Sequence, residues 1–318
     1  MDTANGYNYA QLISKFLMGA AFYNQAVDKY LDENLGANVK PNDQPYSKGA
    51  PYTGKEHSWD EAFGYFGAPA HALALTPKDV VEIARLSPGA FAKADYNKDG
   101  KIDLRSEMTF GPAYYAASFD ASGGGTSYLH TITKAFLDGR KLLAAAEGAA
   151  LTDAQRSQLK GFAETIESNW ERVLAEATFK YAGAVYKDLE KIMVILEAKG
   201  DPSKAVSTYI THWGELKGFS LALQAGRRNL GETAVRLNRL IGYGPVMPNA
   251  SRVVDIDSRG NYVKDQAPGG LGEYKVHMLK AQKLMIDTFG VKARNNDGVA
   301  MLDKMLKSMG SGAAPEND

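Results

Sequence analysis

A chain of 318 residues is long enough to bury a sizeable core, as one large domain or two smaller ones. Its 37 basic residues balance its 37 acidic ones, so no net field draws it to nucleic acid or to an anionic membrane. The composition is globular, at 44% hydrophobic and 23% charged, and the absence of cysteine excludes disulfides, thiolate metal sites and cysteine nucleophiles.

No apolar run reaches the length of about 18 residues that spans a bilayer. The opening MDTANGYNY has neither the basic start nor the apolar centre of a signal peptide. A chain without thiols suits an oxidising compartment, where stray thiols are a hazard.

Helical periodicity dominates. Residues 7 to 35 read as one amphipathic helix, with Leu12, Phe16, Ala20 and Tyr23 on one stripe and Gly36 as its stop. Pro41, Pro45 and Pro51 then mark residues 37 to 56 as an extended loop. TPKDVVEIARL opens a short helix, with Thr76 as N-cap and Pro77 at the first helical position.

LTDAQ repeats that signal, Thr152 and Gln155 forming a capping box. The helix that follows is expected to run to about residue 199 and to bend or break near Gly183. DPSKAVSTYITHWGELKGFSLAL, RRNLGETAVRLNRLIG and LGEYKVHMLKAQKLMIDTFG give three more helices, the first capped by Asp201 and Pro202. The polar stretch between the last two has room for a small hairpin around Arg259 and Gly260. The tail SGAAPEND has the composition of disorder. The expected fold class is therefore all-α with little strand.

One phrase is written twice. In HSWDEAFGYFG, Trp59, Glu61, Gly64 and Tyr65 align with Trp213, Glu215, Gly218 and Phe219 of HWGELKGF. AVDKYL at 26 to 31 likewise resembles AVYKDL at 184 to 189. Two matches at nearly equal offsets, close to half the chain, point to a duplicated helical unit. They divide the chain into an N-terminal half, residues 1–150, a C-terminal half, residues 151–309, and a disordered tail, residues 310–318.

The strongest chemical signal is DYNKDGKIDLRSE. Asp95, Asn97 and Asp99 alternate ahead of Gly100 as in an EF-hand loop. Lys101 offers its backbone carbonyl, and Asp103 binds directly or through water. A hard cation needs several oxygens converging from one tight turn, and this spacing supplies them. The departure lies at the end: the twelfth position is Ser106, and the closing acid arrives one residue late as Glu107. Ca2+ in a structural role is the expected occupant, since a lone loop lacks the pairing of sensor proteins.

The twin phrases allow two readings. His57 with Asp60 or Glu61, and His212 with Glu215, stand at helical spacing and offer imidazole and carboxylate to iron or another transition metal. Alternatively the tryptophans fill the core, the glycines admit a neighbouring helix, and each His and acid satisfy one another.

HSWDEAFGYFG, DYNKDGKIDLRSE, KAFLDGR (134 to 140) and HWGELKGFSLALQ together resemble the imelysin-like exported bacterial proteins, specifically a lipoprotein-type family of unknown function. The resemblance runs over roughly residues 7 to 290. It implies two related helical bundles, a periplasmic or outer-membrane-anchored setting in a Gram-negative bacterium, a lipid anchor in the full-length precursor, and a link to iron or other metal uptake. Imelysin-like proteins carry Gly-x-His-x-x-Glu; here Ile210 precedes His212-x-x-Glu215, and Lys55 precedes His57-x-x-Asp60, so both copies lack the glycine.

Neither a His-Glu-x-x-His zinc helix nor a Gly-x-Ser-x-Gly elbow occurs. GRRNLGET has the glycine spacing of a phosphate loop, but Glu232 replaces its lysine. Three functions compete. The first is an exported protein that binds a metal ion or small ligand and carries a structural calcium. The second is a hydrolase using a metal held by His57, Asp60, His212 and Glu215. The third is a structural surface module.

Overall fold

A computed structural model describes residues 1 to 308; the expected disordered tail, residues 310–318, lies outside the described residues. The all-α class holds. Eleven α-helices are described, with one two-stranded sheet: α1 (Tyr9–Leu17), α2 (Gly54–Phe66), α3 (Pro77–Ala84), α4 (Phe91–Ala94), α5 (Gly111–Asp120), α6 (Tyr128–Ala145), α7 (Asp153–Glu197), α8 (Ser203–Gln224), α9 (Glu232–Ile241), α10 (Gly270–Phe289) and α11 (Val299–Ser308), with β1 (Ser251–Ile256) and β2 (Tyr262–Gln266) between α9 and α10. None of these helices is long and apolar enough to cross a membrane.

The chain forms two compact units. One comprises Met1–Leu17, Leu174–Gln224 and the chain from Arg228 onward; the other comprises Met18–Val173 with Ala225–Arg227. The expected division at 150/151 therefore falls inside the second unit, and the first helix belongs with the C-terminal elements.

In the first unit α1 lies along α8. Gly214 and Gly218, one turn apart on α8, let the α1 backbone approach: a Cβ at Gly218 would stand 2.6 Å from the Leu12 carbonyl oxygen, and one at Gly214 would stand 3.1 Å from that of Asn8. Trp213 is fully buried and donates its indole N–H to Tyr274 Oη of α10 at 2.7 Å. The β1–β2 hairpin is antiparallel, with Gly260 at φ +83° in its turn, and Tyr262 stacks on Tyr7, which meets Trp213 edge-on.

In the second unit Trp59 of α2 sits at 1% exposure and donates its indole N–H to the Phe136 carbonyl of α6 at 2.8 Å. Phe66 and Tyr23 close edge-on around the buried Trp170 of α7. Such offset and T-shaped pairs are the favoured ring geometries in a packed core.

Two helical expectations are corrected. The helix read over residues 7 to 35 is α-helical only to Leu17; Met18–Tyr23 and Gln25–Tyr30 are π-helical, and Glu33–Leu35 is a 3-10 turn. Tyr23, Ala26 and Val27 are nonetheless buried together, at the i, i+3, i+4 spacing of one helical face, so the inward stripe survives the change of turn. Near Gly183 the helix does not break, because α7 is continuous from Asp153 to Glu197. Gly183 serves close packing instead: a Cβ there would overlap the Asn296 carbonyl and stand 2.5 Å from the Gln282 amide nitrogen.

The caps follow the sequence. Thr76 and Asp79 form a capping box, Thr152 and Gln155 exchange the same pair of bonds at 2.9 and 3.2 Å, and Asp201 accepts the Ser203 N–H at 3.0 Å.

Candidate functional site

The loop from Asp95 to Glu107 follows the four-residue helix α4 and precedes α5. Its turn is forced by two left-handed residues, Lys98 at φ +61° and Gly100 at φ +80°. Glycine takes that conformation freely, whereas lysine does so at a cost, so other bonds in the loop must hold Lys98 there. Two of those bonds are Asx turns, at Asn97 and Asp99, and a longer one from Asp95 closes the loop. Asp95 Oδ2 accepts the Gly100 N–H at 3.1 Å, Asn97 Oδ1 accepts the Asp99 N–H at 2.9 Å, and Asp99 Oδ1 accepts the Lys101 N–H at 2.9 Å. Ile102 packs inward against the small cluster of Ile83, Ala90 and Ala94 and fixes the loop to α3 and α4.

Glu107 is buried, at 4% exposure, and both its oxygens are engaged. Oε2 accepts the Asp103 N–H at 2.9 Å, while Oε1 accepts those of Tyr96 and Asn97 at 3.0 and 3.2 Å. The Asp103 N–H above all, then those of Asn97 and Tyr96, hold its carboxyl below the usual glutamate range.

The donors suit a hard cation. Asp95, Asp99 and Asp103 bring three carboxylates, Asn97 an amide oxygen and Lys101 a backbone carbonyl, all oxygen ligands of the kind calcium takes. As the side chains stand, no group of three or more His, Cys, Asp or Glu among the described residues converges to hold a metal ion. The reason is local: each acid of the loop directs an oxygen to a backbone N–H, and Asp95 and Glu107 each direct both.

The twin phrases lie in different units. In the second, His57 Nε2 stands 3.2 Å from Glu61 Oε1, and its ring stacks on Tyr46 at 3.5 Å between centroids, with Tyr52 on the same pile. Asp60 accepts from Arg140 Nε at 3.0 Å, and Arg140 Nη1 donates to Glu56 at 2.5 Å. In the first, His212 Nδ1 pairs with Asp188 Oδ2 of α7 at 2.6 Å, not with Glu215. Glu215 accepts the Tyr181 hydroxyl at 3.0 Å and faces Lys15 at 3.7 Å. His57 is thus brought to Glu61, while Asp60, His212 and Glu215 each take another partner.

Lys55, two residues before His57, is 2% exposed. Its ammonium donates to three backbone carbonyls, those of Asn34 at 2.5 Å, Val39 at 2.7 Å and Gly36 at 2.9 Å. Burial lowers its pKa to about 8. Sequence reading assigned no partner to Lys55, Asp188 or Arg140. Each nevertheless lies in a stretch singled out there: Lys55 at the glycine position before His57, Asp188 in AVYKDL and Arg140 at the end of KAFLDGR.

Among known families, one model, described as a domain of unknown function (DUF4856), matches residues 2–80. No curated protein and no solved structure matches the chain.

Proposed function

We propose that this chain is a calcium-binding helical protein, with the ion taken up by the loop from Asp95 to Glu107. The observation that carries the reading is the bond from the Gly100 N–H to Asp95 Oδ2, made with Gly100 at φ +80°. That bond closes a tight turn at the sixth position, the turn an EF-type loop needs before its first, third and fifth positions can share an ion. Asp95, Asn97, Asp99 and Asp103 supply side-chain oxygens and Lys101 its carbonyl.

Glu107 either remains on its three backbone N–H groups, bracing the loop, or releases them to join the ion. Either way the affinity is low. In the first case the ion lacks a bidentate acid, and in the second three charge-assisted bonds are given up. Weak sites, with dissociation constants of roughly 10⁻⁴–10⁻³ M, belong to extracellular modules. The absence of cysteine and the resemblance to imelysin-like exported proteins support the same extracytoplasmic setting.

Thermal unfolding with and without chelator tests the reading. Calcium at about 1 mM, the upper end of that range, raises the melting temperature of the wild type and leaves an Asp95→Asn, Asp99→Asn double variant unmoved. Equal melting of the wild type in calcium and in chelator overturns it.

A further inference from the structure

The second unit holds an apolar cleft that the calcium loop does not account for. It has a volume of about 200 Å³ and lies between α2 and α6, closed at one side by Ala70 and Leu73. Trp59, Phe63, Phe136 and Leu137 line it, and the rings of Trp59 and Phe63 both meet Phe136 edge-on, at 5.8 and 5.4 Å.

Two polar features interrupt this wall. Thr133 lines the cleft at 4% exposure, and its hydroxyl has no hydrogen-bond partner among the described residues. A buried hydroxyl without a partner is costly, and native proteins hold few of them. At the rim Arg140 is bound by Asp60 and Glu56, so its charge is already answered by two carboxylates. An anionic ligand would meet that excess of negative charge, and a cation would have to shed its water against an apolar wall beside a guanidinium.

We propose that this cleft binds a small uncharged aromatic molecule carrying a hydroxyl group, with the ring against Trp59, Phe63 and Phe136 and the hydroxyl paired with Thr133. The volume suits a single ring with a short substituent, since a dry cavity of about 150 Å³ holds benzene. The inference does not rest on the calcium reading, because the cleft and the loop share no residue.

Phenol and toluene are the probes, matched in shape and differing in one hydroxyl, with benzoate and benzylamine as charged controls. Amide and methyl shifts of the ¹⁵N,¹³C-labelled protein are followed during titration. Saturable shifts are expected at Ala70, Leu73, Thr133 and Leu137, with phenol bound at least as tightly as toluene and both charged probes weaker than either. Thr133→Val removes the hydroxyl at constant shape. It reverses the order, toluene then winning by about five- to tenfold, and it raises the melting temperature of the ligand-free protein.

Ala70→Trp, at an exposed position, fills the cleft and abolishes binding of all four probes. Shifts that do not saturate, or that persist in Ala70→Trp, overturn the proposal. An order of phenol and toluene unchanged by Thr133→Val overturns the assignment of the hydroxyl.

Discussion

Gly139 of α6 lies directly against the Trp59 indole of α2: a Cβ at position 139 would stand 2.6 Å from Cε2 and closer still to Cζ2. Trp59 cannot yield, because it is buried at 1% exposure and its N–H is held by the Phe136 carbonyl of the same helix α6. Gly139→Ala must therefore push the helices apart or break that bond. The expected cost is about 1–3 kcal/mol, as for other overpacked cores. A urea titration followed by fluorescence checks it, and Gly64→Ala is the control, since open space surrounds that position.

In the other unit Tyr274 Oη links two buried groups. It accepts the Trp213 indole N–H and donates to the Ile241 carbonyl, both at 2.7 Å. Tyr274→Phe keeps the ring and strands both partners in the core. Leaving buried polar groups unpaired costs about 1–3 kcal/mol, which chemical denaturation will read directly. A change close to zero would mean that water reaches this layer.

The His212–Asp188 pair makes stability depend on pH. The Asp188 hydrogen bond, reinforced by the charges of Asp188 and Glu215 and opposed by burial, raises the His212 pKa above its ordinary 6.5. The folded state then holds the proton more tightly than the unfolded one. The stabilisation is fully present below about pH 6.5, the unfolded histidine value, and is lost as pH rises through the folded pKa. The difference in melting temperature between wild type and Asp188→Asn should therefore shrink from mildly acid to mildly alkaline pH. A difference independent of pH contradicts the pairing.

That pair also marks how far sequence reading reaches. Spacing along one helix pointed to Glu215 as the partner of His212, because residues three apart share a face. The true partner comes from α7, 24 residues earlier, and nothing in local periodicity announces a contact between helices. His57 with Glu61 was legible because both lie on α2. Thr76, Thr152 and Asp201 were legible for the same reason, since a cap bonds within its own first turn. Gly183 and Gly218 show the ambiguity of glycine. Propensity read the first as a break, yet both are places where another segment comes close. The π-helical turns at Met18–Tyr23 and Gln25–Tyr30 escaped because the heuristic assumes one period throughout.

Lys55 anchors the stretch from Asn34 to Val39 through three carbonyls. Lys55→Met keeps the aliphatic stem and removes the donor. Two changes are expected: a loss of about 1–3 kcal/mol from unpaired acceptors, and faster proteolysis between Gly36 and Tyr52, a segment exposed along most of its length. Limited digestion with mass-spectrometric mapping of the first cut checks both the site and the rate. An unaltered first cut would show that the loop is held by its other bonds, such as the Asn42 amide to the Ala149 carbonyl.

The most direct test of the central claim is a calcium-binding isotherm on chelator-stripped protein, measured by calorimetry with magnesium as competitor. The account predicts one site per chain, preferring calcium over magnesium because the loop offers a flexible set of oxygens rather than a rigid octahedron. Asp95→Asn with Asp99→Asn should abolish it, and the double variant should keep the wild-type circular dichroism spectrum. No saturable heat up to about 10 mM calcium, tenfold beyond the weakest extracellular modules, or heat that survives in the double variant, would contradict it.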